Sequence, residues 1–135
     1  MILVDSSVLI DLIEDHPQWR IWSEGALVRA SSADDLAINL LVYAEISRSF
    51  ASAVKVDAFL RSTAITVEAI PAAAAFAAAR AHQAYRDAGG ARSATLPDFF
   101  IGAHAVEAGW PLLTRDASRV RTYFPALKLI TPAPV

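Results

Sequence analysis

The sequence contains no cysteine, only one methionine and five glycines, and just two lysines. Without cysteine, the chain can form neither a disulfide framework nor a thiolate metal site. The first residues also lack the basic start and the long apolar core of a secretory signal peptide. These absences together predict a cytoplasmic protein.

Long apolar runs are missing as well, although 55% of the residues are hydrophobic and the mean hydropathy is +0.38. The longest stretch without a charged residue runs from Ala69 to Ala79 and contains Pro71. A membrane-spanning helix needs about 20 apolar residues, so this stretch is too short to cross a bilayer. We therefore expect one domain over residues 1–135, with a large core and apolar surface left for a partner.

Strong charge of either sign is also absent, because the formal net charge is −2. Arginine supplies most of the positive charge, and Lys55 and Lys128 are the only lysines. Arginine suits contacts with phosphate groups. The net charge itself neither indicates nor excludes a nucleic-acid partner.

Short apolar runs alternate with helical patterns along the chain. Strands are predicted at residues 2–4, 36–38, 65–70, 111–114 and 127–131. Helical patterns follow the first four of these runs, including an alanine-rich segment that ends at Gly89 and Gly90 and a helix that begins near Pro97. This alternation predicts an α/β fold with a mostly parallel central sheet of four to five strands flanked by helices.

Polar residues recur where the predicted strands end. Asp5 follows the first strand, Asn39 follows the second, and Thr114, Arg115 and Asp116 follow the fourth. In parallel sheets, ligands bind at the carboxyl ends of the strands, so these residues are expected to belong to one site. Asp5 and Asp116 are also well placed to cap the helices that follow them, and that interpretation stays open.

Two further acids occupy predicted helices. Glu45 shares a helix face with Leu41 and Val42, where a carboxylate is costly unless it is paired or bound to a cation. An ion pair with Arg48, three residues later, is the alternative. Asp98 follows a proline in the first turn of its helix, where the helix dipole favours an acid in any case.

Other polar and aromatic residues have ordinary explanations. Asp11 lies near the polar end of the first helix and is expected to be solvated. His104 lies six residues after Asp98, about 120° away around the helix, so a packed histidine is favoured over a ligand. Trp19, Trp22, Phe99 and Phe100 could stack on RNA bases, but core or dimer packing is the preferred interpretation.

Four blocks of the sequence match a known family in order and spacing: MILVDSSVLIDLI, INLLVYAEI, LPDFFIGAHA and PLLTRDASRVRTYFPALKLITP. With these blocks, the chain resembles the PIN-domain ribonucleases, and among them the VapC-type toxins of bacterial toxin–antitoxin pairs. Val120 departs from the pattern, because the family commonly has an aromatic residue there.

The resemblance implies a catalytic, metal-binding site formed by Asp5, Glu45, Asp98 and Asp116. Supporting roles fall on Ser7, Asn39 and Thr114, and candidate phosphate contacts on Arg92 and Arg115. The implied cofactor is Mg²⁺, with Mn²⁺ as a substitute, and oxygen ligands suit such hard cations. The implied activity is endoribonuclease cleavage of RNA. The implied partners are an antitoxin that covers the acidic groove and a second copy of the chain.

Two other functions remain open. A non-catalytic PIN scaffold would bind RNA or protein without using its acids. An aspartyl-phosphate phosphatase would use Asp5 as its nucleophile. Such phosphatases generally have a second aspartate two residues later, where this chain has Ser7.

Overall fold

The computed structural model describes residues 1–90 and 95–132, which form five strands and seven helices. The strands are β1 (Ile2–Val4), β2 (Leu36–Ile38), β3 (Ile65–Val67), β4 (Leu112–Leu113) and β5 (Leu129–Ile130). The helices are α1 (Ser6–Ile13), α2 (Arg20–Ala33), α3 (Leu40–Ser47), α4 (Ala53–Ser62), α5 (Ala72–Asp87), α6 (Leu96–Ala108) and α7 (Ser118–Tyr123). All five predicted strands are present, although β3 ends at Val67 rather than at residue 70.

The five strands form one parallel sheet in the order β3-β2-β1-β4-β5. The chain builds outward from β1 through β2 to β3, and then returns to place β4 on the other side of β1. In an open parallel sheet, such a reversal leaves a crevice at the carboxyl ends of the two strands beside it. The predicted α/β class with a parallel sheet is therefore confirmed, and the crevice lies beyond β1 and β4.

Local sequence explains where the helices around this crevice begin. α1 begins after Asp5, whose carboxylate accepts a hydrogen bond from the Ser6 N–H. α3 begins after Asn39, which accepts from two N–H groups of the first turn. α6 begins with a capping box between Thr95 and Asp98. Each cap satisfies N–H groups that have no partner within the helix.

α2 was not anticipated from the sequence. Its buried face is made mostly of small residues, namely Ser23, Ala26 and Ala30 together with Leu27. Larger apolar side chains point outward instead, with Ile21 84% exposed and Val28 60% exposed. Because the apolar residues do not gather on one face, hydrophobic periodicity does not reveal this helix.

Two apolar clusters stabilise the fold. The larger includes all of β1 and most of β2, which are completely buried, together with the inner faces of α1 to α4. The smaller joins α5 to α6 through Ala74, Ala78, Phe99 and Ala103. Among the residues that the structure describes, no helix is long and apolar enough to cross a membrane.

Candidate active site

An acidic cleft of about 200 Å³ opens at the carboxyl ends of β1 and β4. Asp5, Glu45, Asp98 and Asp116 all line it, with Ser6, Ser7, Ile101, Leu112, Ser118 and Val120. The four acids come from the end of β1, from α3, from the first turn of α6 and from the segment after β4. The fold therefore brings together the carboxylates that the sequence placed in one site.

Asp5 is held by hydrogen bonds to both of its carboxylate oxygens. Oδ1 accepts from the Ser6 N–H at 2.8 Å, while Oδ2 accepts from the Ser7 hydroxyl at 3.0 Å and from the Thr114 hydroxyl at 2.7 Å. Thr114 is buried and also accepts the Asp116 N–H at 3.2 Å. Asp5 thus caps α1 and lines the cleft, so the two interpretations of this residue are compatible.

The electrostatics of the cleft disfavour the ionised form of two of its acids. Burial raises the pKa of Asp5, and the charge of Asp98 adds to this rise, against the opposing hydrogen bonds from Thr114, Ser7 and Ser6. Burial also raises the pKa of Glu45, followed by the charges of Asp5 and Asp98. Carboxylates that share a water-poor site repel one another, and a cation would relieve that repulsion.

Glu45 has the most unusual environment of the four. Its Oε1 atom is buried and accepts no hydrogen bond. Arg48 lowers the pKa of Glu45 only as a minor contribution, and the described residues show no ion pair between these two side chains. A buried carboxylate oxygen without a donor is costly. This oxygen fits the donor set that a hard divalent cation requires.

Asp98 and Asp116 each have a local hydrogen-bonding partner. Oδ2 of Asp98 accepts from the Thr95 N–H at 2.7 Å, and Oδ1 of Asp116 accepts from the Ser118 hydroxyl at 3.0 Å. Within residues 1–90 and 95–132, no three aspartate, glutamate or histidine side chains are grouped closely enough to hold a metal ion. The four acids share a cleft, but three of them, Asp5, Asp98 and Asp116, also make local hydrogen bonds at the start of a helix.

The two arginines expected near phosphate have different outcomes. Arg92 lies outside the described residues, so its role stays a prediction. The guanidinium of Arg115 binds Asp11, with Nε 2.8 Å from Oδ2 and Nη2 2.9 Å from Oδ1. Arg115 therefore binds a carboxylate of the protein through Nε and Nη2, and its candidate contact with phosphate stays a prediction.

Asp11 is a residue that sequence reasoning misjudged. Its side chain is only 1% exposed, and Oδ2 also accepts from the Ser23 hydroxyl at 2.7 Å. The expectation that Asp11 is solvated is wrong, because Arg115 reaches it from 104 positions away in the chain. Val8, which is apolar and lies three residues earlier on the same face of α1, was the available signal.

Asn39 lies beneath the cleft and acts on it through α3. Its Oδ1 atom accepts the N–H groups of Leu41 and Val42, so its Nδ2 faces the Nδ1 of His104, at 3.1 Å. The amide nitrogen can only donate, so Nδ1 accepts and the proton of neutral His104 is on Nε2. Burial lowers the pKa of His104. His104 is packed, as predicted.

The aromatic residues considered for RNA stacking are packed to different extents. Phe99 is buried between α5 and α6, against Tyr85, His82 and Tyr123. Phe100 is partly buried in the same cluster, and Trp22 packs against the main core. Packing is therefore confirmed for Phe99. Trp19, Trp22 and Phe100 are partly buried, so packing rather than RNA stacking stays a prediction for them.

Comparison with known families identifies the fold. The PIN domain family matches residues 2–125. This chain belongs to the PIN domain family. No curated protein matches it in sequence.

Solved structures with the same fold include toxin–antitoxin proteins. The chain is 18% identical to VapBC2 from Rickettsia felis bound to a promoter DNA fragment, with a TM-score of 0.74 and coverage of 98% of this chain and 100% of that one. A toxin–antitoxin complex from Klebsiella pneumoniae is 22% identical, with a TM-score of 0.67 over the whole of both chains. VapC20 from Mycobacterium tuberculosis, a Sarcin-Ricin loop cleaving toxin, is 18% identical, with a TM-score of 0.65 and coverage of 90% and 95%. At these identities the likeness establishes the shared fold.

Proposed function

We propose that this PIN domain is the toxin of a toxin–antitoxin pair and cleaves RNA phosphodiester bonds as a Mg²⁺-dependent endoribonuclease. The observation that carries the proposal is the convergence of Asp5, Glu45, Asp98 and Asp116 on one cleft at the switch point of the sheet. The fold shared with VapC20, which is described as cleaving the sarcin–ricin loop, supports an RNA substrate.

Two features of the cleft support a bound divalent cation, although among the described residues no three acids are grouped closely enough to hold one in this arrangement. Glu45 keeps a buried oxygen without a hydrogen-bond donor, and the mutual repulsion of the acids helps to raise the pKa values of Asp5 and Glu45. We assign Asp5, Glu45 and Asp98 to Mg²⁺ binding, with Asp116 binding a second ion or acting through water. Mn²⁺ satisfies the same oxygen ligands. When bound, such an ion activates water and offsets the charge of the phosphate group.

The supporting residues fix the acids in position. Ser7 and Thr114 direct their hydroxyl protons at the same oxygen of Asp5, which leaves Oδ1 to the Ser6 N–H. Asn39 fixes the first turn of α3 and thereby the helix that carries Glu45. Arg92 remains our candidate phosphate contact. Bound Mg²⁺ would also allow RNA to approach, because without a cation the four carboxylates would repel the RNA backbone.

We further propose two protein partners. Several structures of this fold are VapBC complexes, and an antitoxin segment that covers the acidic cleft would block access to RNA. A homodimer is the second proposed assembly. Light scattering of the purified chain tests the homodimer, and inhibition of its RNA cleavage by a candidate antitoxin tests the antitoxin partner.

The decisive experiment is RNA cleavage with and without Mg²⁺, using purified chain freed of antitoxin and total bacterial RNA. Asp98→Asn is the informative variant, because an asparagine oxygen can still accept the Thr95 N–H and preserve the capping box, while the charge is lost. Asp87→Asn, at the exposed end of α5, is the matched control. We expect discrete new 5′ ends that require both Mg²⁺ and Asp98, with Asp87→Asn cutting like the wild type.

A non-catalytic scaffold is the second candidate, favoured by the local hydrogen bonds that hold Asp98 and Asp116. It predicts that RNA or protein is bound equally well by the wild type and by Asp98→Asn, without cuts. The aspartyl-phosphate phosphatase predicts hydrolysis of a phosphate monoester that depends on Asp5. Absence of cuts with folded, Mg²⁺-loaded protein would refute the nuclease.

A further inference from the structure

An ionic cluster with a buried carboxylate and a partly buried guanidinium lies behind the acidic cleft. Asp11 in α1 accepts two hydrogen bonds from Arg115 and one from Ser23 in α2, at 2.7 to 2.9 Å. The guanidinium carbon of Arg115 lies 5.4 Å from the ring centre of Trp19, just before α2. The cluster therefore joins α1 and α2 to the segment that follows β4.

Arg115 stands between two residues of the cleft. Thr114 donates to Asp5 at 2.7 Å, and Asp116 lines the cleft. The backbone N–H of Arg115 donates to the Ser7 hydroxyl at 3.3 Å, which in turn donates to Asp5. The backbone and the side chain of Arg115 thus bind α1 at two positions one turn apart, Ser7 (beside Asp5) and Asp11.

The chemistry of this ion pair suits positioning better than stabilisation. Burying two charges costs nearly as much as their attraction returns, so a buried ion pair adds little stability over well-packed apolar residues. A planar guanidinium with two parallel bonds to a carboxylate does fix an orientation, which a lysine cannot reproduce. The Trp19 ring further restricts the guanidinium through a cation–π contact.

We propose that the Asp11–Arg115 pair is a positioning clamp, which holds residues 114–116 against Asp5 and so maintains the shape of the acidic cleft. Its consequence for catalysis rests on the proposed nuclease function. The effect of the clamp on the position of residues 114–116 does not depend on that function. Asp11 and Arg115 touch no reacting group and act through Thr114 and Asp116.

The test compares this pair with a surface pair of the same chemistry. Arg115→Lys and Asp11→Asn each remove the bidentate geometry with little change in size. Arg20→Lys and Asp15→Asn are the matched controls, because Arg20 and Asp15 form an exposed ion pair at 3.1 Å. Ile65→Val in β3, at the far edge of the sheet from β4, controls for general loss of stability.

Three measurements report on the clamp: the Mn²⁺ affinity by calorimetry, kcat and KM for RNA cleavage, and amide hydrogen exchange by mass spectrometry. We expect Arg115→Lys and Asp11→Asn to weaken Mn²⁺ binding and to lower kcat by about tenfold each, with KM little changed, as for residues that orient metal ligands. Exchange should become faster across residues 112–118, while the three control variants behave like the wild type.

The clamp is overturned if exchange across residues 112–118 is unchanged in both variants. It is equally overturned if Ile65→Val produces the same losses of affinity and kcat, since the effect would then follow stability alone. A wild type that neither binds Mn²⁺ nor cuts RNA would refute the proposed function. Amide hydrogen exchange across residues 112–118 would still show whether the Asp11–Arg115 pair holds this segment in place.

Discussion

The hydroxyl of Thr114 lies 2.7 Å from Oδ2 of Asp5, although 109 positions separate the two residues in the chain. This hydrogen bond joins the end of β4 to the end of β1, the two neighbouring strands between which the chain reverses direction across the sheet. It lowers the pKa of Asp5 against the effect of burial. The strand order therefore affects the charge of the acidic cleft, because it places the Thr114 hydroxyl beside Asp5.

Replacing Thr114 with valine should impair catalysis by removing this donor. Without the hydroxyl, the pKa of Asp5 rises further, so a larger fraction of Asp5 is protonated at a given pH. We expect RNA cleavage at neutral pH to fall about tenfold, and the acid limb of the pH–rate profile to move to higher pH. Thr122→Val, which removes an exposed hydroxyl in α7, is the control. An acid limb at the wild-type pH would contradict the argument.

Replacing Glu45 with glutamine should stabilise the metal-free protein at neutral pH. The pKa of Glu45 is raised by folding, so the folded chain binds a proton more tightly than the unfolded chain. Stability is consequently greatest below the ordinary glutamate pKa and is lost as the pH rises through the folded value. Glu45→Gln lacks this loss, so its free energy of unfolding at pH 7 should be higher than that of the wild type by on the order of 1 kcal/mol.

Urea unfolding in EDTA at pH 4 to 8 measures this effect. Glu107→Gln, on an exposed position of α6, should leave the pH dependence of the wild type unchanged. A Glu45→Gln variant that is less stable than the wild type at pH 7 would show that the buried carboxylate is satisfied in solution.

Adding Mg²⁺ should raise the melting temperature of the wild type, because a cation bound only by the folded chain stabilises it. At a concentration 100 times the dissociation constant, the gain is about 2.7 kcal/mol. Asp5→Asn and Asp98→Asn should show a much smaller shift, and Asp87→Asn the full one. Potassium chloride at equal ionic strength separates specific binding from screening. Equal shifts in all variants would place the bound Mg²⁺ elsewhere.

Replacing Asn39 with alanine should destabilise the fold by about 2 kcal/mol, from the lost helix cap and the unpaired His104. Ser52→Ala is the matched control, since Ser52 caps α4 at an exposed site through one bond of 3.3 Å. That variant should lose about 0.5 kcal/mol. Chemical unfolding of both variants at pH 7.5 tests the comparison, and equal losses would show that Asn39 acts as an ordinary cap.

The sequence predicted the class of fold, and its resemblance to the PIN-domain ribonucleases completed the set of candidate acids. Short β-branched and apolar runs are typical of strands buried on both faces, and helical segments between them favour a parallel sheet. Such a sheet places the residues after each strand at one edge, which is why Asp5 and Asp116 could be grouped in advance. Glu45 was identifiable because a carboxylate on an apolar helix face needs compensation.

The partners of those residues became visible only in the folded chain. Asp11 looks like a solvated acid because nothing near it in sequence predicts Arg115, and Arg115 looks free for phosphate for the same reason. Hydrophobic periodicity does not predict α2, because its buried face carries small residues while Ile21 and Val28 are exposed. Hydrogen bonds and ion pairs across the fold depend on the packing of distant segments, which no local pattern encodes.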